Sequence, residues 1–291
     1  MSWRTVVISS RAKLDLKLNY MVIRTEEVKK VFLSEIGVLI IESTAVSLTA
    51  ALLSELVKRR IKVIFCDEKR NPVSELTGYY GSHDTSLKMK KQTMWNEDIK
   101  GEVWTEIIRN KIYQQKKHLL DRGYLKEVSM LEEYIKQIEF YDEGNREGHA
   151  AKVYFNAIFG MSFTRTSECA INKALNYGYS IILSLFNREI VSNGYCTQLG
   201  IFHDNMFNPF NLSSDLMEPF RILVDRKVLS MDIDDINGFS KMELVNIINS
   251  EVIIDGRKNY LNNAIKIYTK SVFDALNEND VSLIRFYEYE L

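Results

Sequence analysis

Proline is almost missing from this chain: three occur in 291 residues, and none lies between Pro72 and Pro209. Proline lacks the backbone N–H and its ring collides with the preceding turn, so a stretch this long without one is free to be helical from end to end. The pattern uses that freedom. Apolar residues recur at steps of three and four over 87–95, 103–120 and 125–140, then through a helix carrying Glu147 and a long one over 167–190. Beyond Pro209 the same period predicts helices over 212–228, 241–248 and 260–276.

The chain before residue 80 reads differently. Runs at 6–9, 14–20, 21–24, 27–32 and 36–41 are apolar or alternate apolar and polar, which predicts strands in a meander or small sandwich. One helix interrupts them over 44–60. Leu48, Leu52, Leu53, Leu56 and Val57 stand at helical spacing there, and the cationic run Lys58-Arg59-Arg60 suits the negative end of its dipole. A buried strand over 62–66 and a turn at Asn71-Pro72 come next. The length favours two domains, so the expectation is an α+β protein. A β-rich domain over 1–82 precedes a mainly α-helical domain over 83–291, divided where Gly78, Gly81, Ser82 and Asp84 cluster.

A net charge of −1 is not the strongly basic balance of a typical nucleic-acid binder, so any such surface is local or completed by another chain. The three cysteines, Cys66, Cys169 and Cys196, are scattered and odd in number, which predicts reduced thiols and no zinc site or disulfide framework. The opening residues have no signal-peptide architecture, and the apolar run at 36–41 is far shorter than the ~20 residues of a membrane span. A soluble cytoplasmic protein is expected. Walker, GxGxxG, GxSxG and CxxC motifs are absent, which disfavours nucleotide hydrolysis and serine or cysteine hydrolysis.

Three places hold candidate chemistry. Glu147 leads a stripe with Ala151, Tyr154 and Ile158, and a carboxylate on a packing face is costly unless paired, protonated or bound to metal. Taken alone it also reads as a first-turn acid behind an Asn145 cap. His203 lies in an aromatic loop stopped by Pro209 and reads as a packed histidine or as a metal ligand. Among the other histidines, His83 and His118 are expected to be solvated, and His149 faces away from Glu147. Asp215 and Glu218, three apart, share a side of a helix capped by Ser213 or Ser214. Two carboxylates and an imidazole make a mixed oxygen and nitrogen set suited to Mg²⁺ or Mn²⁺. Asn172, Asn176 and Tyr179 form a polar stripe that either supports such a site or bridges helices. Lys152 and Arg221 lie one turn beyond the acids, within reach of a phosphate. The run Lys58-Arg59-Arg60, like those at 69–70 and 88–91, is a DNA-backbone contact or a solvated face.

Four stretches, in this order, resemble CRISPR-associated protein one, the integrase of CRISPR adaptation. They are Asn145-Arg-Glu-Gly-His-Ala-Ala-Lys-Val-Tyr-Phe155, Leu175-Asn-Tyr-Gly-Tyr179, Gly200-Ile-Phe-His203 and Asp215-Leu-Met-Glu-Pro-Phe-Arg221. The likeness covers most of the chain, including Trp3-Arg4, and is strongest for the type II-A branch. It implies homodimerisation chiefly through the β-rich part. Glu147, His203 and Glu218 match the family's catalytic metal ligands, and Asp215 an acid one turn before the last of them; many relatives carry Asp where this chain has Glu218. The implied reaction is transesterification, a prespacer 3′-hydroxyl attacking a phosphodiester at the edge of a CRISPR repeat. The implied partners are double-stranded DNA (prespacer and leader-repeat), a second copy of the chain and CRISPR-associated protein two. The type II-A branch adds the RNA-guided effector nuclease and an accessory ring protein. Two other readings stand beside it: a non-catalytic scaffold that holds DNA ends, and a general branched-DNA nuclease of repair.

Overall fold

The strand pattern before residue 80 resolves into two four-stranded sheets. A computed structural model describes residues 4–78, 82–231, 233 and 237–289. The strands are β1 (Arg4–Ile8), β2 (Ala12–Lys17), β3 (Tyr20–Arg24), β4 (Val28–Phe32), β5 (Ile36–Ile41), β6 (Val46–Leu48), β7 (Lys62–Cys66) and β8 (Pro72–Leu76). One sheet runs β1-β5-β7-β8 and the other β4-β3-β2-β6. β2, β3 and β4 form the expected antiparallel meander, whereas β5 pairs in parallel with both β1 and β7. Every residue of β5 is buried, as a strand covered on both faces requires. Leu14, Met21 and Leu39 of the two sheets meet Leu52 and Leu56 of α1 (Ala50–Lys58) in one core.

The helix expected over 44–60 starts later. Thr49 caps it by accepting from the Leu52 N–H at 3.3 Å, and Val46, Ser47 and Leu48 pair with β2 instead. Past the turn at Asn71, the sequence pattern gives no sign of β8. That strand sits at the sheet edge, where the N–H that Pro72 lacks is not needed by a further strand.

The helices are α2 (Thr85–Gln92), α3 (Glu97–Asp121), α4 (Leu125–Lys136), α5 (Arg146–Phe159), α6 (Ala170–Ser192), α7 (Asn211–Leu216), α8 (Arg221–Leu229), α9 (Gly238–Val245) and α10 (Leu261–Glu278). The continuous helix expected over 212–228 is broken. A single tight turn, Glu218–Phe220, separates α7 from α8, because Pro219 can neither donate to the preceding turn nor avoid its carbonyl. An unexpected hairpin, β9 (Glu251–Ile254) and β10 (Arg257–Tyr260), precedes α10. Its two-residue loop, Asp255-Gly256, has φ of 53° and 67°, the left-handed pair such a turn demands. Val38, Ile40, Ile64 and Cys66, on the other face of the first sheet, pack into the helical core. Cys66 is buried and free, and burial pushes its thiol up to about 12. Trp3, and residues 79–81 of the expected domain boundary, lie outside the described residues. Among the described residues no helix is long and apolar enough to cross a membrane.

Candidate active site

The start of α5 is held twice. Asn145, with a left-handed φ of 49°, accepts from the Gly148 N–H at 3.2 Å as expected. Asp142 accepts from the Arg146 and Glu147 N–H groups at 2.8 and 2.9 Å, satisfying donors that a helix start otherwise leaves open. The buried face carries Ala150, Tyr154 and Ile158. Glu147, at its edge, turns its carboxylate to Lys111 of α3.

Lys111 is the residue that sequence reasoning missed. Its Nζ donates to Glu147 Oε1 and, at 2.5 Å, to Glu218 Oε2. The Lys111 side chain is 11% exposed and that of Glu218 4%. The second oxygen of Glu218 accepts from Arg221 Nε at 2.9 Å, and the Arg221 guanidinium lies 4.8 Å from the centre of the Tyr179 ring. Burial pushes Glu218 toward its neutral form, but Arg221 and Lys111 outweigh it and hold the carboxyl below its ordinary range. Burial likewise opposes the charge on Lys111, and Glu218 and Glu147 reverse that and raise it. A signal existed: Trp104, Ile108 and Gln115 are buried, and Lys111 completes their i, i+4, i+7, i+11 stripe.

His203 is fixed by Asp215. The Asp215 carboxylate, fully buried, accepts from the N–H groups of Ile201 at 2.6 Å, Phe202 at 3.1 Å and His203 at 3.1 Å. It also bonds His203 Nδ1 at 2.5 Å. That bond raises the histidine's pKa, against burial, and Glu218 and Glu147 add to the effect. Burial raises Asp215 itself even though His203 pulls it down; with no exposed surface, desolvation is the larger effect. Phe202 stacks on Trp104 at 4.4 Å, and the His203 ring stands edge-on to Trp104 at 5.7 Å.

Several expectations need correction. Asp215 and Glu218, three apart, take different partners: Asp215 holds the 201–203 loop and Glu218 meets Lys111. Neither serine caps α7: Phe210 precedes it, and Ser213 is buried inside it. His118 is buried and bonded through Nδ1 to Tyr154 Oη at 2.8 Å. Burial, with Arg226 and Arg122 beside it, lowers its pKa to about 3. His83 is exposed as expected, and His149 is exposed too.

Asn172 and Asn176 bind Arg165, the latter at 2.7 Å, and Asn172 also donates to the carbonyls of Thr164 and Ser167 at 2.8 Å each. They clamp the connection between α5 and α6, and Arg165 lies over Tyr179 at 5.3 Å, leading to Arg221 on the same ring. Tyr179 Oη donates to buried Asp225, whose pKa burial lifts to about 6. Lys152 is exposed on α5, one turn from Glu147, and Arg221 is partly buried in its ion pair. Lys58, Arg59 and Arg60 are exposed at the end of α1, in the β-rich part, where Arg59 bonds Glu55 at 2.7 Å and Asn19 at 2.8 Å.

Among the described residues no three His, Cys, Asp or Glu side chains converge closely enough to hold a metal ion. The donor chemistry nonetheless fits a divalent cation. Two carboxylates already meet on one positive charge, and the imidazole whose Nδ1 is taken keeps Nε2 for a ligand bond.

The family model described as CRISPR associated protein Cas1 matches residues 5–237. The chain belongs to the Cas1 family. It is 34% identical over 232 residues to the CRISPR-associated endonuclease Cas1 of Neisseria meningitidis serogroup C, covering 79% of this chain and 76% of that protein. It is 27% identical over 281 residues to a CRISPR-associated endonuclease Cas1 of Francisella tularensis subsp. novicida, covering 87% of each. The fold is similar to that of the Thermotoga maritima Cas1 protein, with a TM-score of 0.72, 16% identity and coverage of 94% of this chain and 97% of that one. It is similar also to a casposase bound to integration product, with a TM-score of 0.76, 19% identity and coverage of 100% and 95%. In a Cas6-RT-Cas1–Cas2 complex the TM-score is 0.74 at 16% identity; 99% of this chain is covered but only 36% of that longer polypeptide. Cas1 membership sets the chain among CRISPR endonucleases and integrases, on a mixed fold with N-terminal sheets and C-terminal helices.

Proposed function

We propose that this chain is the integrase of CRISPR adaptation, a metal-dependent DNA endonuclease and transesterase that joins prespacer 3′-hydroxyl ends to the edge of a CRISPR repeat. One observation carries the reading: Glu147 and Glu218, from distant parts of the chain, converge on a single positive charge. Glu147, His203 and Glu218 would hold Mg²⁺ or Mn²⁺. When bound, such an ion supplies charge stabilisation at the attacked phosphate and eases ionisation of the attacking hydroxyl.

The chain's own residues prepare that chemistry. Asp142 and Asn145 fix the helix start that aims Glu147, and Asp215 fixes the tautomer and direction of His203. Arg221, anchored between Glu218 and Tyr179, keeps Glu218 ionised and offers a cation to a phosphate. The reaction forms one bond from the 3′-oxygen to phosphorus and breaks one phosphodiester bond at the target. The strand's own oxygen departs with the proton the attacking hydroxyl gave up. One ester replaces another, so no external energy source is needed. Lys152 and the exposed run Lys58-Arg59-Arg60 would contact DNA backbone.

The partners belong to the same proposal. They are double-stranded DNA, supported by the similarity to a casposase bound to integration product, and CRISPR-associated protein two, supported by the Cas1–Cas2 complex of similar fold. So do a homodimer through residues 1–82 with catalysis in 83–291, a place in the cytoplasm, and a type II-A setting with its effector nuclease and ring protein. The test pairs purified protein with a branched DNA mimicking a half-integrated spacer, in Mn²⁺, Mg²⁺ or EDTA, for wild type and Glu147→Ala. Metal-dependent rejoining of strands, lost in Glu147→Ala, is expected. DNA bound but unchanged in every metal, with CRISPR-associated protein two present, would replace this reading with an end-holding scaffold. Rejoining indifferent to leader and repeat sequence would point to a general branched-DNA nuclease.

A further inference from the structure

Lys111 holds the place between the two acids, and its surroundings say more than that an ion pair is satisfied. Both of its bonds are to carboxylates, and Glu218 has its remaining oxygen on Arg221. The two cations differ in how they are held. Arg221 is held by a single hydrogen bond from Nε to Glu218 on one side and by the Tyr179 ring on the other. Lys111, 11% exposed, presents a compact ammonium on a four-carbon stem with several rotatable bonds and is held by its two carboxylate partners.

We infer that Lys111 is a tethered cation that competes with the divalent metal for Glu147 and Glu218, closing the acid pair when metal is absent and lowering its metal affinity. This inference rests on the metal reading proposed above. Two carboxylates facing each other, one buried and the other 28% exposed, repel unless a positive charge lies between them. A lysine from a third helix supplies that charge and lets the site fold without metal. The oxygens it occupies, Glu147 Oε1 and Glu218 Oε2, are the ones facing the shared position, so metal and ammonium cannot both have them. A ligand that needs a minor conformer binds more weakly by the fraction of that conformer. If the ammonium is in place nine times in ten or more, the apparent affinity falls about tenfold or more by the same relation.

The test is Mn²⁺ binding by isothermal calorimetry, with metal-induced change in melting temperature as a second readout, on full-length wild type, Lys111→Met, Lys111→Arg and Glu147→Gln. Neither readout depends on DNA joining. Lys111→Met, which keeps the stem and removes the charge, is expected to bind Mn²⁺ at least tenfold more tightly and to gain more in melting temperature on metal addition. Lys111→Arg keeps the charge on a stiffer head and is expected to bind no more tightly than wild type. Should Lys111→Met fold only when Mn²⁺ is present, the metal has taken over the role of the ammonium, which supports the inference. Equal or weaker binding by Lys111→Met, with binding abolished in Glu147→Gln, would overturn the inference and leave the metal site standing. No Mn²⁺ binding by any of the four proteins would overturn both.

Discussion

Replacing Asp215 by asparagine changes one oxygen into an NH₂ group at almost constant volume, and the hydrogen bonds around that group decide the effect. Each carboxylate oxygen accepts two hydrogen bonds: Oδ2 from the N–H groups of Ile201 and Phe202, Oδ1 from the N–H and Nδ1 of His203. An NH₂ in place of Oδ2 would face two backbone donors. In place of Oδ1 it faces only one, because the imidazole can change tautomer and accept at Nδ1. The second arrangement is the less costly. One buried donor left unpaired costs ~1–3 kcal/mol, and release of a fully buried charge offsets part of it. The expected loss in chemical denaturation at pH 8 is therefore about 1–2 kcal/mol. Activity should suffer far more, since the new tautomer puts the proton on Nε2, the nitrogen needed as a ligand. The same change beside a catalytic histidine in serine proteases lowers kcat about 10⁴-fold. Imidazole ¹⁵N shifts would report the tautomer, alongside denaturation and DNA joining. A variant with the proton still on Nδ1, or with activity reduced no more than its folded fraction, would refute the argument.

Gly178→Ala places a Cβ well inside contact distance of Val224 Cγ1, so α6 and α8 must separate; a loss of ~1–3 kcal/mol is expected, largely recovered in Gly178→Ala/Val224→Ala, as denaturation would show. His118 adds a pH dependence. Its pKa is about 3 when folded against an ordinary 6.5, so between those values the unfolded chain binds the extra proton. Its contribution is complete above pH 6.5 and is lost as pH falls, by about 2 kcal/mol between pH 8 and pH 5. Urea midpoints across that range should show a drop that His118→Gln flattens.

The helical half is legible because little in it competes with a period of three and four, and the departures from that pattern have local causes. Leu48 satisfies a helical stripe and a strand equally, so periodicity alone extends α1 over β6. Pro219 is compatible with a first turn, yet here it divides the helix, and Asp215 and Glu218 take different partners. Asp255-Gly256 carries a hairpin signal too short to compete with the helical runs on either side. In the site, Glu147, His203, Asp215 and Glu218 stand out through the four motifs, while Lys111 does not. A lysine on an apolar stripe ordinarily carries its charge out to water. Its partners lie 36 and 107 residues away, a separation that only the tertiary fold closes. Asn172 likewise reads as support for the acids, and only the fold brings Arg165 to it from the preceding loop.

The 23 residues of α6 make a rod about 34 Å long at 1.5 Å per residue. Toward one end Asn172 and Asn176 grip Arg165, and Tyr179 carries Arg221 on its ring. Toward the other, Asn187 bonds Glu75 at 3.4 Å and Arg188 reaches the Gly37 carbonyl at 3.5 Å, both in the first sheet. One continuous helix carries both the bonds to the first sheet and the ring beneath Arg221. Whatever grips the β-rich part is thus tied, through about 12 Å of α6 between Asn187 and Tyr179, to the arginine beside Glu218.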